Sequence, residues 1–83
     1  MLEIRQRVTE LESSRAAIEA ATDAVRSAAE ARRVVGERFR TGVATNTDVL
    51  DAQVAVLQAE LDRTQAIANA RIARASLDRA LGK

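Results

Sequence analysis

Between Leu2 and Leu81 the sequence offers a helix only one place to stop. Proline is absent, Gly36 stands alone, and turn-type residues gather only in the run Thr41-Gly42-Val43-Ala44-Thr45-Asn46-Thr47. The pattern predicts an all-α chain: one long antiparallel helical hairpin over residues 1–83. Its first helix runs from about Leu2 to Arg40 or Thr41, its turn covers about 42–45, and its second helix runs from about Asn46 to Leu81, closed by Gly82. At about 1.5 Å per residue each arm is roughly 55–60 Å long, far beyond an average globular helix, so the arms need a repeating seam.

Composition supports this and removes most chemistry. Of 83 residues, 45 are Ala, Glu, Leu, Arg or Lys, and 18 of those are Ala, the mixture typical of coiled coils and long helices. With no Cys and no His, the usual zinc ligands, a thiol nucleophile and an imidazole base are all missing. Catalysis would fall to carboxylates, hydroxyls or the lone lysine, Lys83. No pocket-forming segment accompanies them, so an enzyme is not expected, nor a cofactor or a metal. Thirteen basic and twelve acidic residues give a net charge of +1, spread along the chain, which lacks the basic stripe of a nucleic-acid binder. The longest uncharged run is the eight residues from Ala52 to Ala59, against the roughly 20 a transmembrane helix needs. Glu3, Arg5 and Arg7 interrupt any secretory leader. The expectation is therefore a cytoplasmic chain or a piece of a longer one.

The seam is legible in both arms. In the first, Ile4, Leu11, Ile18, Val25 and Phe39 recur at heptad intervals, with Arg32 at the missing step and Val8 and Ala29 alongside. A second line runs Ala17, Ala21, Ala24, Ala28, Ala31, Val35. In the second arm, Ala52, Ala59, Ala66, Ala73 and Ala80 join Val49, Val56, Ala70 and Leu77, while Leu50, Val54, Leu57, Leu61, Ala68 and Ala75 form another stripe. A two-stranded coiled coil needs one seam per helix. Two seams ask for neighbours on two sides, in a ring or array of helices, and a lone hairpin would leave one seam wet. A four-helix bundle made by two hairpins would use the seams equally well. Either way the chain is expected to self-associate. The charges between the seams, Glu3 with Arg7, Glu12 with Arg15, Asp23 with Arg26 and Glu60 with Arg63, read as a solvated face.

The turn carries the remaining information. Gly42 stands where the first helix must stop and can take the left-handed conformation. Thr45 and Asp48 have the spacing of a capping box, and Asp48 and Asp51 place negative charge near the positive end of the second helix. Folding alone could account for all of these residues.

The run from Phe39 to Gln53 also resembles the aromatic-x-x-Gly-x-x-Thr-x-x-Asp-Val-Leu-x-Ala-Gln signature of the TolC-like outer-membrane efflux protein family. Leu57-Gln58-Ala59-Glu60, the Ala-rich heptads and the closing Ala80-Leu81-Gly82 are similar to the last helical hairpin of those proteins. The resemblance covers essentially the whole chain, and it implies a segment of the periplasmic α-helical barrel of a homotrimeric outer-membrane protein of a Gram-negative bacterium. Such proteins are conduits for drugs, metal ions or, in type I secretion, proteins, working with an inner-membrane pump and a periplasmic adaptor (membrane fusion) protein. Membrane contact would fall to β-strands outside this segment.

Carried over by position, Gly42 and Thr45, with Thr41, Val43 and Ala44 in the same turn, would form the tip that docks on the adaptor. Asp48 and Asp51 would correspond to acidic positions ringing the tunnel's periplasmic aperture, where crowded carboxylates attract cations and raise one another's pKa. Asp51, which has no cap to make, is the cleaner candidate. Phe39 stands where the family often has Tyr, so any hydrogen bond of that hydroxyl is lost. With one hairpin and no barrel strands, the chain reads as a fragment of such a protein. A stand-alone soluble coiled-coil scaffold is the main alternative, and the hairpin of an adaptor ranks last because Gly-x-x-Thr is the duct-side signature.

Overall fold

A computed structural model describes residues 2–82; Met1 and Lys83, the only lysine, lie outside them. Two helices fill the described chain, α1 over Leu2–Arg40 and α2 over Asn46–Ala80. They pack side by side in a rod measuring 61 × 14 × 13 Å. Thr41 and Leu81, which the sequence allows to helices, sit just beyond them: Thr41 belongs to the turn and Leu81 is the C-cap of α2. Among the described residues no helix is long and apolar enough to cross a membrane.

The interface between the arms takes one heptad line from each. On α2, Val56, Ala59 and Ala73 are buried, and Val49, Ala52, Ala66, Ala70, Leu77 and Ala80 are half-buried. Val56, at 4% exposure, is the most deeply covered. Facing them on α1, Ile4, Leu11, Ile18 and Val25 are half-buried, and none of the described α1 residues is fully buried. Alanine on α2 lets the axes come close, and the larger Ile and Leu of α1 fill the space. The second α1 line splits. Ala21, Ala28 and Val35 join the interface, whereas Ala17, Ala24 and Ala31 are exposed, because the line holds two heptad positions and only the one that follows Ile18 and Val25 by three residues lies on the covered side. Toward the turn the first line opens too, leaving Arg32 and Phe39 exposed.

The second stripe of α2 is uncovered along its whole length. Leu50, Val54, Leu57 and Leu61 are 56–63% exposed, Ala68 and Ala75 are exposed, and Ile72, absent from the heptad reading, continues the stripe at 65%.

The charge pairs differ from the spacing rule in three of four cases. Asp23 and Arg26 pair at 2.9 Å. Arg7 instead meets Glu10 at 3.3 Å, and among the described residues Glu12 and Arg15 form no pair. Arg63 sits on the buried heptad line between Val56 and Ala70, so its guanidinium leans across to α1, where Nε donates to Thr22 Oγ1 at 3.0 Å, away from Glu60. Arg33 holds Glu30 at 2.7 Å and Glu37 at 3.0 Å. The Arg33 hydrogen bonds and charge draw the Glu30 carboxyl below its usual range, and Glu30 in turn raises the guanidinium.

Candidate functional site

The turn is built by two caps, one ending α1 and one starting α2. Gly42 adopts φ +80°, the left-handed region. Its amide donates to the Phe39 carbonyl at 3.1 Å and the Val43 amide to the Arg38 carbonyl at 2.8 Å, the paired bonds of a Schellman ending. The Arg38 carbonyl also accepts from the Ala44 amide at 3.2 Å and from Thr41 Oγ1 at 3.0 Å. Arg38 and Arg40 place positive charge on the last turn of α1, where the helix dipole is negative. A Cβ on Gly42 would meet nothing within 4 Å. Glycine is required here by its backbone angle, not by space.

Three residues later the chain turns into α2. Thr45 is extended at φ −95°, ψ 168°. The Asp48 amide donates to Thr45 Oγ1 at 3.1 Å, and the Thr45 amide donates to Asp48 Oδ2 at 2.9 Å. Two free amides of the new helix are thus satisfied without water.

This arrangement sets the surface of the tip. Thr41, Gly42, Thr45, Asp48 and Asp51 are exposed, Val43 is 73% exposed, and Ala44 is half-buried. On one side of the tip a shallow groove brings Val43, Ala44, Asp48 and Asp51 together with Val35 and Arg38. The carboxylate of Asp48 is engaged by the cap; among the described residues no hydrogen bond or ion pair reaches Asp51. The groove is therefore apolar at its floor, acidic on the α2 side and basic at Arg38. Sequence reasoning missed Val35 and Arg38 as tip residues. Their signal was available, since each lies one or two helical turns before Gly42 and the chain reverses there. Among the described residues no cluster of His, Cys, Asp or Glu could hold a metal ion.

The sequence model of the family described as outer membrane efflux protein matches residues 1–83. No curated protein and no solved structure matches the chain.

Proposed function

The chain belongs to the outer membrane efflux protein family, and from that premise we propose that its helices form part of the periplasmic wall of an efflux duct whose tip docks on an adaptor. The family is one of outer-membrane channels, not of enzymes. In this reading three protomers build the duct, an inner-membrane pump loads it, and small molecules or, as in type I secretion, proteins leave through it.

The observation that carries the reading is the outer stripe of α2. A helix at the end of a finished two-helix protein has no reason to present Leu50, Val54, Leu57 and Leu61 more than half exposed, whereas a wall helix needs an apolar face toward each neighbour. The tip supports the docking role. Its backbone groups are bonded internally, so Thr41, Gly42, Val43, Ala44 and Thr45 offer a fixed shape at the end of a rod 61 Å long. Asp51, free of the cap, takes the aperture role before Asp48, whose carboxylate already holds the Thr45 amide.

The test of docking is Gly42→Val in cells that depend on the efflux protein. A β-branched residue at positive φ costs on the order of 1–2 kcal/mol, because its Cβ crowds the local backbone, and so reshapes the tip. Export and adaptor cross-linking should fall while helix content by circular dichroism stays nearly unchanged, and Gly42→Asn, which tolerates the left-handed conformation, should retain most export. Undiminished export by Gly42→Val would remove the docking assignment. For the aperture, Asp51→Ala should alter cation block in bilayer recordings with little change in stability; unchanged conductance and block would leave Asp51 a surface residue.

A further inference from the structure

The cleft between the helices differs on its two sides. Toward the open end, one side forms a groove of about 440 Å³ whose floor is Leu11 and Ile18 of α1 with Ile67, Ala70 and Ala75 of α2. Arg15, Arg71 and Arg74 stand around that floor, with one acid, Asp78. We propose that this groove binds a free single-chain organic anion, its apolar tail along the floor and its carboxylate among the arginines.

Charge selects the head group. Arg74 approaches Asp78 only to 3.7 Å, and both side chains are largely open to water, so that pair is weak. Among the described residues no ion pair reaches Arg15 or Arg71. Glu12 and Glu19, about one turn to either side of Arg15, are exposed and do not line the groove. Three guanidinium groups against one carboxylate leave an excess of positive charge beside an apolar surface. Guanidinium is weakly hydrated and matches a carboxylate with paired hydrogen bonds, so an anion is favoured over a neutral or cationic ligand.

Shape selects the tail. Thr22 lies level with Arg63, so Leu11 stands at the height of Arg74 and Ile18 at that of Ile67. From Ile67 to Asp78 the groove is roughly 16 Å long, enough for an extended acyl chain of medium length. Leu11, Ile18 and Ile67 are half-buried, and a tail laid on them would remove the apolar surface that the hairpin leaves wet. A partner helix, about 10 Å across, would bridge the cleft without reaching its floor. The other side of the cleft, at an overlapping height, offers Ser13, Ser14, Gln65 and Asn69 with the acid Asp62, and only Ala17 and Ala66 are apolar there. No arginine lines it, so the site belongs to one side alone. It lies beside the outer stripe of α2, shares only Ala75 with it, and does not depend on the duct reading.

Decanoate, kept well below its micelle-forming concentration, is the probe. Added to the isotope-labelled 83-residue chain, it should shift the amide signals of Leu11, Ile18, Ile67 and Ala70. Acetate, which lacks the tail, and decyltrimethylammonium, which carries the opposite charge on the same tail, should leave them in place. Arg71→Gln combined with Arg74→Gln alters two exposed side chains, so helix content should hold while decanoate binding weakens about tenfold, the effect of losing a charged hydrogen-bonding partner. Absence of shifts, equal shifts with the cation, or unchanged affinity in the double variant would overturn the proposal. So would shifts centred on Leu50 to Leu61, which would mean that decanoate adsorbs on any open apolar face. None of these results bears on the Gly42 export assay.

Discussion

The turn and the arms of this hairpin meet the same requirement in opposite ways. In the turn every cap is made within about ten residues: one carbonyl, that of Arg38, accepts from three groups, and Thr45 and Asp48 satisfy each other. Nothing outside the chain is needed. Along the arms the protein covers one face of α2 with α1 and leaves the other to whatever lies beside it. The difference separates what the sequence specifies locally from what it specifies only in company. A cap is a bond between residues a few positions apart, while a seam is a surface that gains free energy only when a second surface removes its water.

Adjacent residues on α2 offer the sharpest way to break the comparison. Val56 faces α1 and Leu57 faces away. Val56→Ala removes two buried carbons and should lower unfolding free energy by about 2 kcal/mol, read by chemical denaturation of the dilute chain. Leu57→Ser should change that quantity by less than about 0.5 kcal/mol yet reduce association at high concentration. If the two substitutions destabilise the dilute chain equally, the outer face is already covered in the single hairpin and the contrast fails. Next in size is Thr45→Ala. Losing the bond that Thr45 Oγ1 accepts from the Asp48 amide, while the residue-45 amide still donates to Asp48, should cost about 1 kcal/mol and loosen the first turn of α2, seen as faster amide exchange at Asp48, without altering exchange in the middle of the arms.

The smallest effect concerns the solvated face. Arg33 holds the Glu30 carboxyl below its ordinary range. A carboxyl whose folded pKa is depressed contributes stability above its unfolded value, near 4.5, and that contribution disappears as pH falls through the folded value. Titration of the wild-type chain from pH 7 to below 4 should therefore show a slight loss that Glu30→Gln lacks. Both side chains are more than half exposed, so a large difference between the two chains would mean that this pair is shielded by association.

These contrasts also explain how far the sequence could be read. Gly42, Thr45 and Asp48 were legible because a turn type dictates residue types at fixed offsets. The two stripes of α2 were legible because heptad spacing reports the face on which a residue lies. Spacing does not report where the partner helix stands around that face. Ala17, Ala24 and Ala31 were therefore grouped with Ala21, Ala28 and Val35, which turn inward, and Ile72 was passed over although it continues the outer stripe. For the same reason Arg63 was assigned to Glu60 on its own helix, when its place on the inner line aims it at Thr22. At the tip, Val35 and Arg38 entered the groove only once the chain had reversed and laid α1 beside the start of α2.

The bond from Arg63 to Thr22 joins residues 41 positions apart, and in a hairpin that separation grows steadily from the turn to the open end. Closing a longer loop costs more entropy, roughly 0.6 kcal/mol for each doubling, so the first contacts to form are those around Gly42 and each later pair is brought together by the one before it. Loop closure therefore favours pairing that starts at the turn and spreads toward the open ends, which gives the residues of the two caps the largest influence on register. Pairing errors are settled there as well: once Thr45 and Asp48 have closed, a slip of one arm past the other would have to undo every pair back to the turn.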